Sequence, residues 1–381
     1  MRRSSVTYLL LITLVTSLGC AGPRLNSEDD VEEFATAKRA AMALQTRTSL
    51  IRVDAGRGPM RLAVAETDAG DADRVIVLLH GVLSDSEVWR FMRADVAEGH
   101  HVMAVDLPGS GRSDRPDPSK LGRGAYGPSM LARYVLAAVR ERLAARGEDD
   151  DAPVTIVAHS LGGMVTLRMF ADPAIRADYA DVLDRVDGLV LFTPADVAIE
   201  KDIPTFRAIA EVSDFVVGVA NLTGLLRMKV ALSTRDGVVD RQHAVKEEAM
   251  RMNALLLDRQ RRRASQAMIK NAVPRNGVRP DWQRIERIVE TYRNVDVPVL
   301  IVWGARDELL PVSMGFKLQY HLPQARLHII NRGMHCLPVE RPAICTKLVR
   351  EFVESGNDER QVVTWVDGPM NGVESQLAGA K

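Results

Sequence analysis

No sign of charge prevails in this sequence of 381 residues, where 50 Lys and Arg stand against 50 Asp and Glu. A chain without a net field has no general attraction for nucleic acid or an anionic surface, and no nucleic-acid-binding module is visible in it. Long apolar runs are also missing. The stretch Val6 to Leu18 falls short of the ~20 residues that cross a bilayer comfortably, and the Val-, Leu- and Met-rich segment from Phe215 to Leu232 is broken by Arg227 and Lys229. Cysteine is scarce, with three residues in all. A hydrophobic content of 46% nevertheless supports a sizeable core and excludes disorder, and no coiled-coil pattern is present. At ~100 to 200 residues per domain, the length fits one large domain with an insertion, or two domains. Small or neutral partners are the expectation.

The N-terminus differs from the rest. Arg2 and Arg3 precede the apolar stretch, which ends in Gly19-Cys20, the form of a secretory signal. Ser17-Leu18-Gly19-Cys20 resembles the lipobox of bacterial lipoproteins, departing from it at Ser17, where Leu is usual. The resemblance implies a signal peptide over residues 1–20, lipid on Cys20 and a place in the bacterial cell envelope, held to the membrane by acyl chains. A periplasmic or secreted protein is the alternative. Residues 21–48 read as a tether and one amphipathic helix: Ser27 and Asp30 have capping-box spacing, and Val31, Phe34, Ala35, Lys38, Ala41, Met42 and Gln45 recur at helical spacing.

From residue 49 the pattern alternates short β-branched runs with helical stretches, the signature of a mostly parallel sheet flanked by helices. The runs Val75 to Leu79, Val102 to Val105, Val154 to Ala158, Gly188 to Phe192, Val299 to Val302 and Leu327 to Ile330 predict strands buried on both faces. The alternation stops between Pro194 and Pro298, too long an interval for a connection. Residues 195–296 therefore read as an inserted helical cap between two core segments, 49–194 and 297–356, with a C-terminal tail over 357–381. Trp365 in that tail is a candidate to pack back on the domain. Within the cap, Arg261-Arg262-Arg263 reads as a solvated helix face.

Candidate chemistry lies at strand ends. Ala158-His159-Ser160-Leu161-Gly162-Gly163 follows the strand Val154 to Val157 and has the form of a nucleophile elbow, G-x-S-x-G with Ala158 first. The turn is sharp enough that only small residues fit around it, and it points the first amides of the next helix at the space beside the Ser160 hydroxyl. Upstream, His80-Gly81-Val82 closes another strand, so the amides of Val82 and Leu161 are candidate oxyanion donors. His80 and His159 read as structural residues. Asp307, past the strand Val299 to Val302, is the candidate acid, with Glu308 its neighbour to rule out and Asp196 a second candidate. His335, past the last strand, is the candidate base.

These residues resemble the α/β-hydrolase family with a helical cap over roughly Leu50 to Gly356. Asp106-Leu107-Pro108-Gly109-Ser110-Gly111-Arg112-Ser113 is similar to the family's D-x-x-G-x-G-x-S loop, which is structural there. The resemblance implies a triad of Ser160, Asp307 and His335, acyl transfer to an ester or similar small-molecule substrate, and no metal or organic cofactor. Serine at the elbow argues against the dehalogenase and epoxide hydrolase branches, which carry Asp there. Two alternatives stay open: carbon–carbon bond hydrolysis or another reaction on the same triad, and a non-catalytic envelope binding protein. With Cys20 lipidated, Cys336 and Cys345 form either a disulfide closing a short loop beside His335 or two buried thiols.

Overall fold

The computed structural model describes residues 46–68, 72–147, 150–196, 247–248, 250–251, 254, 257–276, 279–355 and 363–366. The expected leader, Cys20, the tether helix and the apolar stretch from Phe215 to Leu232 lie outside these residues.

The strands are β1 (Thr46–Asp54), β2 (Pro59–Thr67), β3 (Val75–Leu79), β4 (His101–Val105), β5 (Val154–His159), β6 (Val186–Phe192), β7 (Arg275–Asn276), β8 (Arg279–Pro280), β9 (Val299–Gly304), β10 (Ala325–Ile330) and β11 (Val363–Val366). Among the described residues nine form one sheet in the order β1-β2-β4-β3-β5-β6-β9-β10-β11, and β7 with β8 make a small ribbon within the segment expected to be the cap. The β1–β2 hairpin joins the sheet by antiparallel pairing of β2 with β4, and every later pairing in that sheet is parallel.

All six strands expected from the apolar runs are present. Their side chains alternate between two cores, as a two-residue period requires. Val75, Val77 and Leu79 enter one cluster, with Met103, Val105, Ile156 and Ala158. Ile76 and Leu78 enter the other, with Val102, Ala104 and Val157. Helices Pro128–Ala144 and Leu161–Ala171 contribute to the first cluster, and helix Pro342–Ser355 contributes Cys345, Leu348, Val349 and Phe352 to the second. Both faces of the sheet are thus covered.

The fold departs from the sequence expectation at three places. Strand β1 begins at Thr46, inside the expected tether. Strand β11 lies inside the expected tail; the strand was not expected, whereas Trp365, the candidate to pack back on the domain, does so, pairing with Ile329 and lying against the core. These edge strands and β2 mix polar with apolar residues, so they lack the continuous apolar signal of the central ones. The third departure is the basic run. In helix Arg259–Ala272, Arg262 is buried, Arg261 donates to the Gly111 carbonyl at 3.2 Å and Arg263 pairs with Asp117 at 2.7 Å. This helix, from the segment expected to be the cap, sits on the 106–113 loop, where a Cβ on Gly109 (φ +89°) would lie 2.7 Å from Ala264 Cβ. Asp106 holds that loop by accepting from the Ser86 and Arg112 amides at 2.7 and 2.8 Å.

Strand β3 is followed by β4 on one side and, across the sheet, by β5 on the other, so the loops after β3 and β5 diverge at a topological switch point. In open α/β sheets, ligands bind in the crevice at such a point, beyond the carboxyl ends of the strands. The turn after β5 is tight. A Cβ on Gly162 would lie 2.5 Å from the Leu79 carbonyl oxygen, and one on Gly163 would lie 2.5 Å from Pro194 Cβ. Because the Leu79 oxygen is backbone, Gly162→Ala is expected to lower the free energy of unfolding by about 1–3 kcal/mol. Urea denaturation monitored by circular dichroism measures this, and an unchanged midpoint would show that the turn has room to spare.

Candidate active site

Ser160 occupies the corner between β5 and helix Leu161–Ala171 with φ 51° and ψ −117°, a conformation that costs a non-glycine residue about 1–3 kcal/mol. The corner is held from several sides: the Ser160 amide donates to the Phe192 carbonyl at 3.0 Å, and its carbonyl accepts from Gly163 and Ala195 at 2.9 Å each. The residue is buried, with its hydroxyl directed at His335, and Leu161 opens the helix, where first-turn amides have no intrahelical acceptor.

The loop after β3 passes against this corner. A Cβ on Gly81 would lie 3.0 Å from Ser160 Cβ and 3.4 Å from its Oγ, so only glycine fits without displacement. His80 fixes the loop. Its Nε2 accepts the Leu107 amide proton at 3.0 Å, which leaves the ring proton on Nδ1 to donate to the Gly81 carbonyl at 2.7 Å. Val82 follows immediately. The two amides expected to face a developing oxyanion therefore belong to segments that meet at Ser160.

On the other side of the corner, His335 Nε2 lies 3.1 Å from Ser160 Oγ, and His335 Nδ1 lies 2.8 Å from Asp307 Oδ2. Asp307 is buried, and its Oδ1 accepts from the Leu309 and Leu310 amides at 2.9 and 2.8 Å, so its orientation is fixed by the loop that carries it. That loop is braced by Trp303 Nε1 donating to the Leu310 carbonyl at 2.9 Å. Glu308 points outward and is exposed. Asp196, the other candidate acid, accepts the hydroxyl proton of Tyr292 and is not placed on His335. The loops bearing Asp307 and His335 touch, since a Cβ on Gly304 would lie 2.2 Å from the Met334 carbonyl oxygen.

Two groups not singled out in the sequence hold the histidine loop. The carboxylate of Glu340 accepts from the Met334 and Cys336 amides, the two flanking His335, at 2.7 and 2.8 Å. The Thr193 hydroxyl donates to the His335 carbonyl at 2.9 Å, beside a second bond of the same length from His159 Nε2. A carboxylate five residues beyond a loop histidine was the available sequence signal, legible only once Leu337–Glu340 turns back as a short helix.

Burial pushes the His335 imidazole toward the neutral form, but the Asp307 carboxylate, by charge and by hydrogen bond, more than offsets it. Glu340 adds to the effect, and the pKa rises above 6.5. Burial raises the Glu340 pKa as well, opposed by its two backbone hydrogen bonds. His159 is driven down to about 3, chiefly by burial and then by the neighbouring His335, so it stays neutral as a structural donor. Cys336 and Cys345 are not bonded to each other in this structure. Cys345 is buried within the helix-packed core and its Sγ donates to the Leu337 carbonyl at 3.4 Å, so its side chain is committed to that core. Among the described residues no group of three or more His, Cys, Asp and Glu side chains is placed to hold a metal ion.

The chain is 23% identical over 308 residues to a 2-hydroxy-6-oxononadienedioate/2-hydroxy-6-oxononatrienedioate hydrolase of a Pseudomonas species, covering 79% of this chain and 95% of that protein. It is 26% identical over 298 residues to a pimeloyl-[acyl-carrier protein] methyl ester esterase of Neisseria meningitidis serogroup B, covering 75% of this chain and 95% of the relative. Among solved structures, the serine hydrolase CCSP0084 from Cycloclasticus zankles superposes with a TM-score of 0.58 at 18% identity, covering 83% of this chain and all of that one. Residues 76–347 match the alpha/beta hydrolase family as a continuous unit, and with the sheet order and the corner at Ser160 already in place, the chain belongs to that family.

Proposed function

We propose that this protein is a serine hydrolase that cleaves a carboxylic ester or a similar acyl bond of a small molecule through an acyl-enzyme. The observation that carries this reading is the hydrogen-bonded line from Asp307 through His335 to Ser160 at 2.8 and 3.1 Å. In that line His335 Nδ1 carries the proton donated to Asp307, which leaves Nε2 as the acceptor facing the Ser160 hydroxyl.

As Oγ attacks a carbonyl carbon, Nε2 takes the hydroxyl proton, and the resulting imidazolium is stabilised by the Asp307 carboxylate. The negative charge forming on the carbonyl oxygen would be met by the Val82 and Leu161 amides. Donors already in place cost no reorganisation at that moment, and each such donor is worth ~2.7–4 kcal/mol in related sites. His335 then gives its proton to the leaving alcohol, and water repeats the sequence on the acyl-enzyme. The methyl ester esterase among the relatives fits this acyl chemistry. A second reading, the same three residues acting on an activated carbon–carbon bond, is favoured by the similarity to the dienedioate hydrolase. Export and anchoring through lipid on Cys20 belong to the proposal on sequence grounds alone.

Three measurements test these points. Turnover of a p-nitrophenyl ester series from acetate to palmitate is expected to fall by at least 10³-fold in Ser160→Ala, in line with loss of a triad member. Ser160-dependent turnover of a vinylogous diketone with none on any ester would replace the ester reading by the carbon–carbon one, and Ser160-independent turnover would overturn both. The acid limb of kcat/KM is expected to have its midpoint above pH 6.5, because only neutral His335 can act as base and its pKa is raised. Glu340→Gln removes a negative charge that favours the imidazolium, so the limb should move to lower pH, whereas a purely structural loss would lower the rate without moving it. Finally, Cys20→Ser is expected to shift the protein from the membrane to the soluble fraction of the envelope. Unchanged membrane association would remove the lipid anchor.

A further inference from the structure

A cleft of about 1030 Å³ opens between the core and the cap, away from the site just described: none of Ser160, His335, Asp307, Val82 or Leu161 lines it. It is bounded by the β1–β2 turn, the loop around Arg123, the first turns of helix Pro128–Ala144, the far end of helix Leu161–Ala171 and the cap segments Lys270–Arg275 and Arg284–Ile288. Seven of its lining residues are Arg or Lys, although the chain as a whole has no net charge. The acid among the described lining residues is Asp172. Its carboxylate accepts from the Ala174 amide at 3.1 Å and from the hydroxyl of Ser129, itself a lining residue, at 3.3 Å.

Arg133 is paired with Asp178. In contrast, Arg57, Arg123, Arg168, Lys270 and Arg284 have no carboxylate partner among the described residues. Of these five, Arg57, Arg123, Lys270 and Arg284 are exposed and Arg168 is half-buried, so they place positive charge around one solvent-open concavity, which favours an anion there. Arg57 is also held in place: its guanidinium donates to the Leu121 and Arg123 carbonyls at 2.6 and 2.9 Å, groups that orient it without cancelling its charge. The wall opposite is braced by Asn271 Nδ2, which donates to the Ala125 carbonyl at 2.8 Å and ties the cap helix to the same loop.

From this arrangement we infer that the cleft is a second ligand site, taking a multiply charged, phosphate-bearing molecule. Arginine is suited to phosphate because its planar fork donates two parallel hydrogen bonds to one anionic group. The volume is far larger than one phosphate ion needs, which points to a phosphorylated organic molecule or a phospholipid headgroup. The inference does not depend on the proposed hydrolase activity.

The test uses the full chain and the variant Arg123→Ala/Arg168→Ala/Lys270→Ala, with circular dichroism to establish that the variant is folded. Inorganic pyrophosphate is titrated calorimetrically into each, and each is sedimented with vesicles of phosphatidylglycerol or of phosphatidylcholine. Pyrophosphate binding that weakens at least tenfold in the variant and fades with added salt is the expected result, with a soluble phosphate-bearing ligand as its source if the vesicles do not discriminate. Preferential sedimentation of the unsubstituted protein with phosphatidylglycerol, lost in the variant, assigns the site to a lipid headgroup. Since both proteins share the same N-terminus, an anchor there cannot create that difference. Equal behaviour of the two proteins toward both probes, or no binding by either, overturns the inference.

Discussion

The approach of the β5 corner to the ends of β3 and β6 is the constraint on which the rest of this structure depends. Ser160 is held in a backbone conformation that a non-glycine residue avoids, and it stays there because Gly162 lies against the Leu79 carbonyl, Gly163 against Pro194, and the Ser160 amide on Phe192. The same closeness brings Gly81 onto the serine and carries Val82 into the crevice. A larger residue at any of these glycines would separate the strand ends that the candidate site requires to be adjacent.

Around that corner the charged groups are arranged so that each has a partner of fixed direction. Asp307 is bound by two amides of its own loop and by His335, and Glu340 by the two amides that flank His335. A buried carboxylate without such partners would be costly or would take up a proton. With them, two negative groups bear on one imidazole, and its basicity rises despite burial. The cleft on the far side shows a different balance: Asp172 is the one acid among its described lining residues, against seven Arg and Lys. One site thus supplies its own counter-charges, and the other leaves that role to a ligand.

Much of this was legible in the residues. Strands buried on both faces announce themselves as unbroken β-branched runs, and all six central ones did so. The elbow was legible because a steric requirement, small residues around Ser160, leaves a local trace that a single alanine substitution at Ala158 does not erase. The edge strands β1, β2 and β11 were not legible, because a strand with one partner or one solvated face mixes polar with apolar residues. The basic run was misread as solvated for a related reason: sequence periodicity places Arg261, Arg262 and Arg263 on a helix but does not say that the helix face meets the 109–117 loop.

Thus the sequence by itself determined which segments form the buried sheet, in what class of fold, and which serine, acid and histidine stand at strand ends. Tertiary structure decided which of these meet. Asp307 and not Asp196 reaches His335, because the Gly304 and Gly333 loops pack against each other while Tyr292 takes Asp196. Glu340 acquired its place on the histidine loop, and five cations without a carboxylate partner among the described residues gathered around one cleft, in the same way. Such encounters join residues far apart in the chain, and their geometry is set by packing between elements, for which no local pattern of residue types carries the information.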